Sequence, residues 1–143
     1  MRFFAVVSAL AAAGFATAQE SARFGSTVVS PCGFDGGDVV TLTYNATTAT
    51  QHSDVPESVG IWIQGVNVTD GFQTPVTPFF RLAHNDNFDP QADPIFTAQV
   101  TVPAGLASLH VPFWVVTSFI IHENDGITQL GSVSDECPQI QPN

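Results

Sequence analysis

The segment 84–94, HNDNFDPQADP, is dense in side chains that could bind a metal ion. Asn85, Asn87 and Asp89 alternate along it, and Asp93 lies close behind. Calcium-binding loops place oxygen ligands at such alternating positions. The glycine and the final glutamate of the helix-loop-helix calcium motif are both missing, and no helix is predicted on either side. The segment therefore has two interpretations, a shallow Ca²⁺ site or a solvated turn.

The other chemistry-bearing residues show no catalytic spacing. The sequence has four histidines: His52, His84, His110 and His122. They form neither an H-x-H nor an H-E-x-x-H motif, and no G-x-S-x-G segment marks a nucleophilic serine. Carboxylate pairs such as Asp86 with Asp93 lie in turn-like segments, whereas acid–base catalysis needs one carboxyl whose pKa is raised by burial. No catalytic residue is assigned, and a small secreted hydrolase or calcium-dependent enzyme that uses the 84–94 loop remains an alternative.

Trp62 is a candidate stacking platform. Val59, Ile61 and Ile63 alternate along one face of an extended segment. Trp62 and Gln64 then share the opposite face, because successive side chains of a strand alternate. An outward aromatic ring on a flat sheet can stack on a sugar ring, with a polar neighbour such as Gln64 beside it. The alternative is that a neighbouring loop covers Trp62.

The first residues have the pattern of a secretory signal peptide. One arginine precedes a short apolar run, and Ala-Thr-Ala ends at position 18. This is the order of charged region, apolar region and cleavage site that export signals share, and the apolar run is short for a membrane-spanning helix. The sequence predicts a cleaved signal at 1–18 and a secreted, extracellular domain at 19–143, with no membrane segment after cleavage.

Export changes the interpretation of the cysteines and of two asparagines. Cys32 and Cys137 lie near the two ends of the predicted mature domain. In an oxidising compartment they are predicted to form a disulfide, the alternative being two free buried thiols. Asn45-Ala46-Thr47 and Asn67-Val68-Thr69 are N-glycosylation motifs, so Asn45 and Asn67 are predicted glycan sites in a eukaryotic host.

Composition excludes several function classes. The chain of 143 residues has 13 Asp and Glu against 3 Lys and Arg, for a formal net charge of −10. Binding to nucleic acid or to an anionic membrane surface needs clustered basic residues, which this sequence lacks. With 44% hydrophobic residues, the chain has the apolar content of one globular domain.

Alternation of apolar and polar residues predicts strands throughout the mature chain. Val39–Asn45 and Ile95–Val102 each have one apolar face, whereas Phe113–His122 is apolar on both faces and is predicted to be a central strand with Trp114 in the core. Asn124-Asp125-Gly126 predicts a tight turn into Ile127–Val133.

Two weaker candidates complete the set of predicted strands. Phe79–Ala83 is a further strand candidate, and Ser26–Val29 is a possible edge strand. The segments 46–57 and 84–94 are the least regular. Together the patterns predict an all-β fold, a single antiparallel β-sandwich of the immunoglobulin-like or fibronectin-like type with about seven strands.

Four segments carry a resemblance to a known family. They are GGDVVTLTYNA at 36–46, SVGIWIQG at 58–65, AQVTVP at 98–103 and FWVVTSFI at 113–120. Their order resembles the immunoglobulin-like module of fungal secreted Ser/Thr-rich, GPI-anchored cell-wall proteins. The resemblance implies an Ig-like sandwich associated with a cell wall. The Ser/Thr-rich stalk and the anchor signal of that family do not occur in this sequence.

The sequence thus favours a non-catalytic, acidic, secreted binding or structural protein. Its expected partner is a cell-wall polysaccharide or another glycan. A secreted effector that binds a host protein is an alternative, and the patterns leave the oligomeric state open.

Overall fold

The computed structural model describes residues 23–52, 54–69, 72–109, 111 and 113–138, so the predicted signal peptide at 1–18 lies outside the described residues. Within these ranges the elements in chain order are β1 (Ser26–Ser30), β2 (Val39–Asn45), α1 (Thr47–Gln51), β3 (Pro56–Thr69), β4 (Phe72–Pro75), β5 (Phe80–Asn85), β6 (Ile95–Thr101), a 3-10 helix (Ala104–Leu109), β7 (Phe113–Asn124) and β8 (Ile127–Pro138).

The strands form two antiparallel sheets. The smaller sheet has the order β1-β2-β6, and the larger sheet has the order β4-β3-β7-β8, with β5 also paired to β3. The eight strands of the described residues thus lie in two antiparallel layers, which is the architecture of a β-sandwich. The all-β sandwich predicted from the sequence is therefore confirmed. The strand that the sequence patterns missed is β4, which has only four residues and ends in proline.

The core lies between the inner faces of the two sheets. The inner residues of β2, Val40, Leu42 and Tyr44, are buried, and so are Ile61 and Ile63 of β3. Burying a side chain of this kind stabilises the fold by about 1.5–3 kcal/mol. Tyr44 keeps its hydroxyl satisfied by donating a hydrogen bond to the Phe24 carbonyl oxygen at 2.7 Å. The apolar residues that alternate along these two strands in the sequence are therefore the residues whose side chains point into the core.

Strand β7 is central, as its doubly apolar sequence predicts. It pairs with β3 on one side and with β8 on the other. Its even-numbered residues from Trp114 to His122 are buried. At its end, Asp125 and Gly126 both have positive φ angles, of 52° and 75°, which is the geometry of the tightest hairpin turns. The predicted reversal into β8 is confirmed.

A disulfide joins the two sheets. Cys32, just after β1, is bonded to Cys137 of β8, with Cα atoms 5.2 Å apart and 105 positions between them. The predicted disulfide is therefore confirmed. Hydrogen bonds that involve side chains join the same two sheets. Thr27 Oγ1 lies 2.7 Å from Ser118 Oγ, and the Val29 amide donates to Asp135 Oδ2 at 3.1 Å.

The segment 46–57 is more regular than its sequence suggests. It contains α1, a helix of five residues that is too short to show a 3.6-residue apolar period. Ala49 is its buried residue, and Asn45 Oδ1 accepts a hydrogen bond from the Thr47 amide at 2.9 Å. Within the described ranges, no helix has the length and apolar character to cross a membrane.

Candidate functional site

An open groove of about 400 Å³ lies on the outer face of the larger sheet, the face turned away from the core. Residues of β3, β5, β7 and β8 and of the segments beside β5 line it. They are Ser58, Val59, Gly60, Trp62, Phe79, Arg81, His84, Asp86, Phe119, Ile121 and Leu130. Its volume falls in the lower part of the range of small-molecule sites. We call this feature the Trp62 groove.

Trp62 lies in this groove and is half-buried, which favours the outward placement expected from the sequence. Its indole ring contacts Phe119 edge-to-face at 6.5 Å, and Phe79 contacts Phe119 in the same way at 5.6 Å. Gly60 makes room for the indole, since a Cβ atom there would lie 3.0 Å from Trp62 Nε1. The groove therefore has an aromatic surface built from three strands or segments.

A β-bulge brings a cation to the same face. Ile61 lies opposite Ala83, and its neighbour Trp62 lies opposite Arg81 because the register shifts at this point. Leu82 is the extra residue, and both Leu82 and Ala83 pack against the core. Regular alternation from Ala83 would have turned Leu82 outward and Arg81 inward. The bulge reverses this and places the Arg81 guanidinium 5.9 Å from the centre of the Trp62 ring.

Phe79 is held at the groove by a segment anchored to β3. The Gly65 amide donates to Thr77 Oγ1 at 2.8 Å, and the Gln64 side-chain amide donates to the Thr77 carbonyl oxygen at 3.0 Å. Gln64 was expected to bind a ligand beside Trp62, but it does not line the groove. Its side chain instead holds the segment that carries Phe79 against β3.

The polar end of the groove consists of exposed side chains. His84 Nε2 lies 3.7 Å from Asp86 Oδ2. Arg81 is also exposed, and no ion pair of the described residues involves it. Aromatic rings beside planar donor and acceptor groups can hold a ligand that has both an apolar face and hydroxyl groups.

The predicted metal ligands Asn85, Asn87, Asp89 and Asp93 do not line the groove, and the side chains of Asn85, Asp89 and Asp93 accept hydrogen bonds from the backbone. Asn85 Oδ1 accepts a hydrogen bond from the Asn87 amide at 3.1 Å, and Asp89 Oδ1 accepts one from the Gln91 amide at 3.0 Å. Asp93 Oδ1 accepts likewise from the amide two residues on. These contacts are those of turn-forming Asx side chains.

Phe88 explains why the 84–94 loop is ordered around such turns. Its ring is buried and contacts Tyr44 edge-to-face at 5.9 Å, so the loop is pinned to the core at its middle. Among the described residues, no three His, Cys, Asp or Glu side chains come together in a way that could hold a metal ion. The Ca²⁺ site remains a prediction of the sequence alone.

A second titratable cluster lies inside the sandwich. Asp54 is buried and accepts two hydrogen bonds from Arg23, at 2.7 Å to Nε and 2.9 Å to Nη2. This pairing holds the pKa of the Asp54 carboxyl below its usual value. His122 Nε2 lies 3.3 Å from Asp54 Oδ1, yet neither ring nitrogen has a hydrogen-bond partner among the described residues. We call these residues the Asp54 cluster; Asp54 and His122 are buried, whereas the Arg23 side chain is 44% exposed.

The remaining predicted sites are dispersed. His52 is exposed beyond α1, and His110 lies outside the described residues. Asn67 is exposed on β3, and Asn45 is half-buried at the end of β2. Nothing in their geometry brings these residues together with the Trp62 groove.

Sequence reasoning missed Arg81, Phe79 and Phe119 as groove residues. A signal for Arg81 existed: after the predicted signal peptide, this acid-rich chain has only two arginines, Arg23 and Arg81. The aromatic pair had no such signal, because Phe79 and Phe119 meet only through strand pairing. Comparisons of the chain with protein-family models, with curated proteins and with solved structures found no match.

Proposed function

We propose that this protein is a secreted, non-catalytic binding protein that holds an extracellular glycan, such as a cell-wall polysaccharide, in the Trp62 groove. The observation that supports the proposal is the meeting of Trp62, Phe79 and Phe119 with exposed polar side chains in one open groove.

The physical argument rests on the two-sided character of a sugar ring. One face of a pyranose ring presents C–H groups, which pack favourably on an aromatic ring, and its rim presents hydroxyl groups. The groove offers aromatic rings to the C–H face of the sugar, and Arg81, His84 and Asp86 to its hydroxyl groups. An open groove also suits a chain of sugars, because the polymer can continue beyond the bound unit.

Secretion and glycosylation are part of the same proposal. The signal-like segment 1–18 supports export, and the disulfide between Cys32 and Cys137 is typical of proteins outside the cytosol. The motifs at Asn45 and Asn67 support N-linked glycans. The resemblance to the Ig-like module of fungal cell-wall proteins favours a cell wall as the place of action.

The proposal is tested by retention of the protein on polysaccharide particles. β-1,3-glucan, chitin, cellulose and bead-coupled polygalacturonate form the panel. Trp62→Ala is expected to lower retention on the bound polysaccharide about tenfold, whereas Trp62→Phe keeps a ring and much of the binding. Ile127→Ser is the matched control, because Ile127 is exposed on the same sheet but does not line the groove. Unchanged retention of Trp62→Ala, or no retention by any member of the panel, contradicts the proposal.

A protein partner is the second candidate function. Leu130 of β8 is 67% exposed, and its partner Ile121 of β7 is 41% exposed on the same face. Contiguous exposed apolar residues are typical of protein interfaces. The Leu130→Ser variant separates the two candidates, since a protein interface would use this exposed apolar pair, whereas a glycan stacked on the aromatic rings would depend mainly on Trp62. Loss of binding to cell-wall extract in Leu130→Ser, with Trp62→Ala unaffected, would favour the protein partner.

A further inference from the structure

The groove contains a cation, Arg81, that forms no ion pair with another described residue. The sequence has 13 carboxylate side chains and three arginines, of which Arg2 lies outside the described residues. Arg23 is paired with Asp54 by two hydrogen bonds. Arg81 has no carboxylate partner among the described residues.

The backbone is shaped to keep Arg81 at this place. The bulge at Leu82 turns Arg81 to the outer face, beside Trp62, and turns Leu82 toward the core. β-Bulges re-aim side chains in this way, often next to functional sites. The guanidinium then lies over the indole with its central carbon 5.9 Å from the ring centre, at the outer limit of a cation–π contact, so the charge and the ring lie on the same side of the groove.

From these observations we infer that the groove selects a glycan that bears a carboxylate, a uronic acid, and that Arg81 binds that carboxylate. The inference rests on the proposed function and names its ligand class. A guanidinium can donate two parallel hydrogen bonds to a carboxylate, and such bonds are stronger than those to a neutral hydroxyl. The sugar ring attached to the carboxylate then lies within reach of Trp62, Phe79 and Phe119, which form the adjoining surface.

The acidity of the whole protein does not prevent this binding. Charges farther than about 8–10 Å from a ligand are largely screened at physiological salt. The acidic residue that lines the groove is Asp86, whose side chain is exposed and leans toward His84 at 3.7 Å. A uronic acid in the groove therefore meets Arg81 locally, and repulsion between an acidic polymer and the remaining surface weakens as salt is added.

The test compares one sugar chain with and without its charge. Oligogalacturonates and their methyl esters have the same rings, and the ester lacks the negative charge. Calorimetry or intrinsic tryptophan fluorescence at physiological salt gives the affinity of the wild-type protein and of Arg81→Gln, Arg81→Lys, Trp62→Ala and the control Ile127→Ser. We expect the wild type to bind the acid at least about tenfold more tightly than the ester. Arg81→Gln removes that preference, and Arg81→Lys retains part of it, because lysine keeps the charge but not the planar fork.

The variants separate failure of this inference from failure of the proposed function. If the wild type binds acid and ester equally and Trp62→Ala weakens both, glycan binding stands and selection by charge is overturned. If Arg81→Gln keeps the preference for the acid, Arg81 is not the carboxylate-binding residue and the inference is again overturned. If neither saccharide binds, the inference is overturned, and retention on the polysaccharide panel decides the proposed function separately. If both saccharides bind and Trp62→Ala weakens neither, both proposals fall.

Discussion

The two faces of the larger sheet use the same residue types for opposite purposes. Trp114 on the inner face is 2% exposed, and Trp62 on the outer face lines an open groove. Arg23 is paired with a buried carboxylate, and Arg81 has no such pair among the described residues. Each arginine also lies over an aromatic ring, at 4.8 Å for Arg23 and 5.9 Å for Arg81.

The difference shows that residue type says little until the face is known. Trp114 packs in the core, and Arg23 holds the buried Asp54 carboxyl, so both stabilise the fold. On the outer face, aromatic and charged side chains of the same types are exposed to solvent. This leaves apolar area exposed, which monomeric proteins usually keep small. If the comparison is right, substitutions on the inner face change stability and matched substitutions on the outer face change binding.

The two tryptophans provide the strongest test. Trp114→Ala leaves a cavity in the core and is expected to lower the free energy of unfolding by about 3–5 kcal/mol. Trp62→Ala removes a half-buried ring from an open groove and is expected to cost less than half as much. Urea unfolding followed by far-ultraviolet circular dichroism measures both. Equal losses in the two variants would show that Trp62 belongs to the core.

Two glycines on β3 repeat the comparison on a smaller scale. A Cβ atom at Gly65 would lie 2.8–3.1 Å from Val111, Thr77 and Trp114, so Gly65→Ala overpacks the core and is expected to cost about 1–3 kcal/mol. A Cβ atom at Gly60 would meet only the edge of the Trp62 indole at 3.0 Å. Gly60→Ala is therefore expected to leave stability nearly unchanged and to shift the indole. Melting temperatures and glycan retention of the two variants check this, and a stable Gly65→Ala protein would contradict it.

The inner face could largely be predicted from the sequence, whereas the outer face could not. Alternation of apolar and polar residues is a local property, so the buried residues of β2 and β3 can be identified within each strand's own sequence. The central position of β7 follows from its two apolar faces in the same way. The sequence patterns missed the helix α1 and the strand β4 because elements of five and four residues contain too few repeats of the helical or strand period to be recognised.

The site residues escaped for a different reason, which is that they depend on register. Arg81 reaches the groove only because Leu82 is an extra residue in one strand pairing, and a shift of one residue exchanges the two faces of a strand. Likewise, Arg23 and Asp54 are 31 positions apart, and no short motif announces their pairing. Trp62 was predictable because its placement follows from the alternation of its own strand.

The Asp54 cluster makes the inner face sensitive to acid. Hydrogen bonding by Arg23 lowers the pKa of Asp54 in the folded protein, with a smaller contribution from His122, although burial opposes the shift. A carboxyl whose pKa is lower in the folded state stabilises the fold above its unfolded pKa of about 3.9, and this stabilisation is lost as the pH falls through the folded pKa. Asp54→Asn cannot ionise, so the difference in stability between it and the wild type should be full at neutral pH and shrink in that acidic range.

Urea unfolding at a series of pH values from neutral to about pH 2 measures that difference. Arg23→Gln is the companion variant, because it removes the main cause of the pKa shift while leaving the carboxyl in place. It should flatten the acid dependence in the same way, and the double variant should add little to either single one, since the two residues act as one unit. A stability difference between wild type and Asp54→Asn that does not change with pH would show that the pairing in the cluster is not what Asp54 contributes.

The smallest expected effect on stability is that of Arg81→Gln. Arg81 is exposed and contacts the Trp62 ring only at the limit of a cation–π interaction, which at such sites contributes about 0.5–1 kcal/mol or less. Removing its charge also takes one positive charge from a protein of net charge −10, which adds slightly to self-repulsion at low salt. The variant should therefore unfold within about 1 kcal/mol of the wild type, and the gap should narrow as salt is added. Urea titrations at low and high salt measure this, with Arg23→Gln as the counterpart that leaves the buried Asp54 carboxyl without its main partner and therefore costs more. A large, salt-independent loss in Arg81→Gln would make Arg81 a structural residue, and the contrast between the two faces of the sheet would then rest on Trp62 alone.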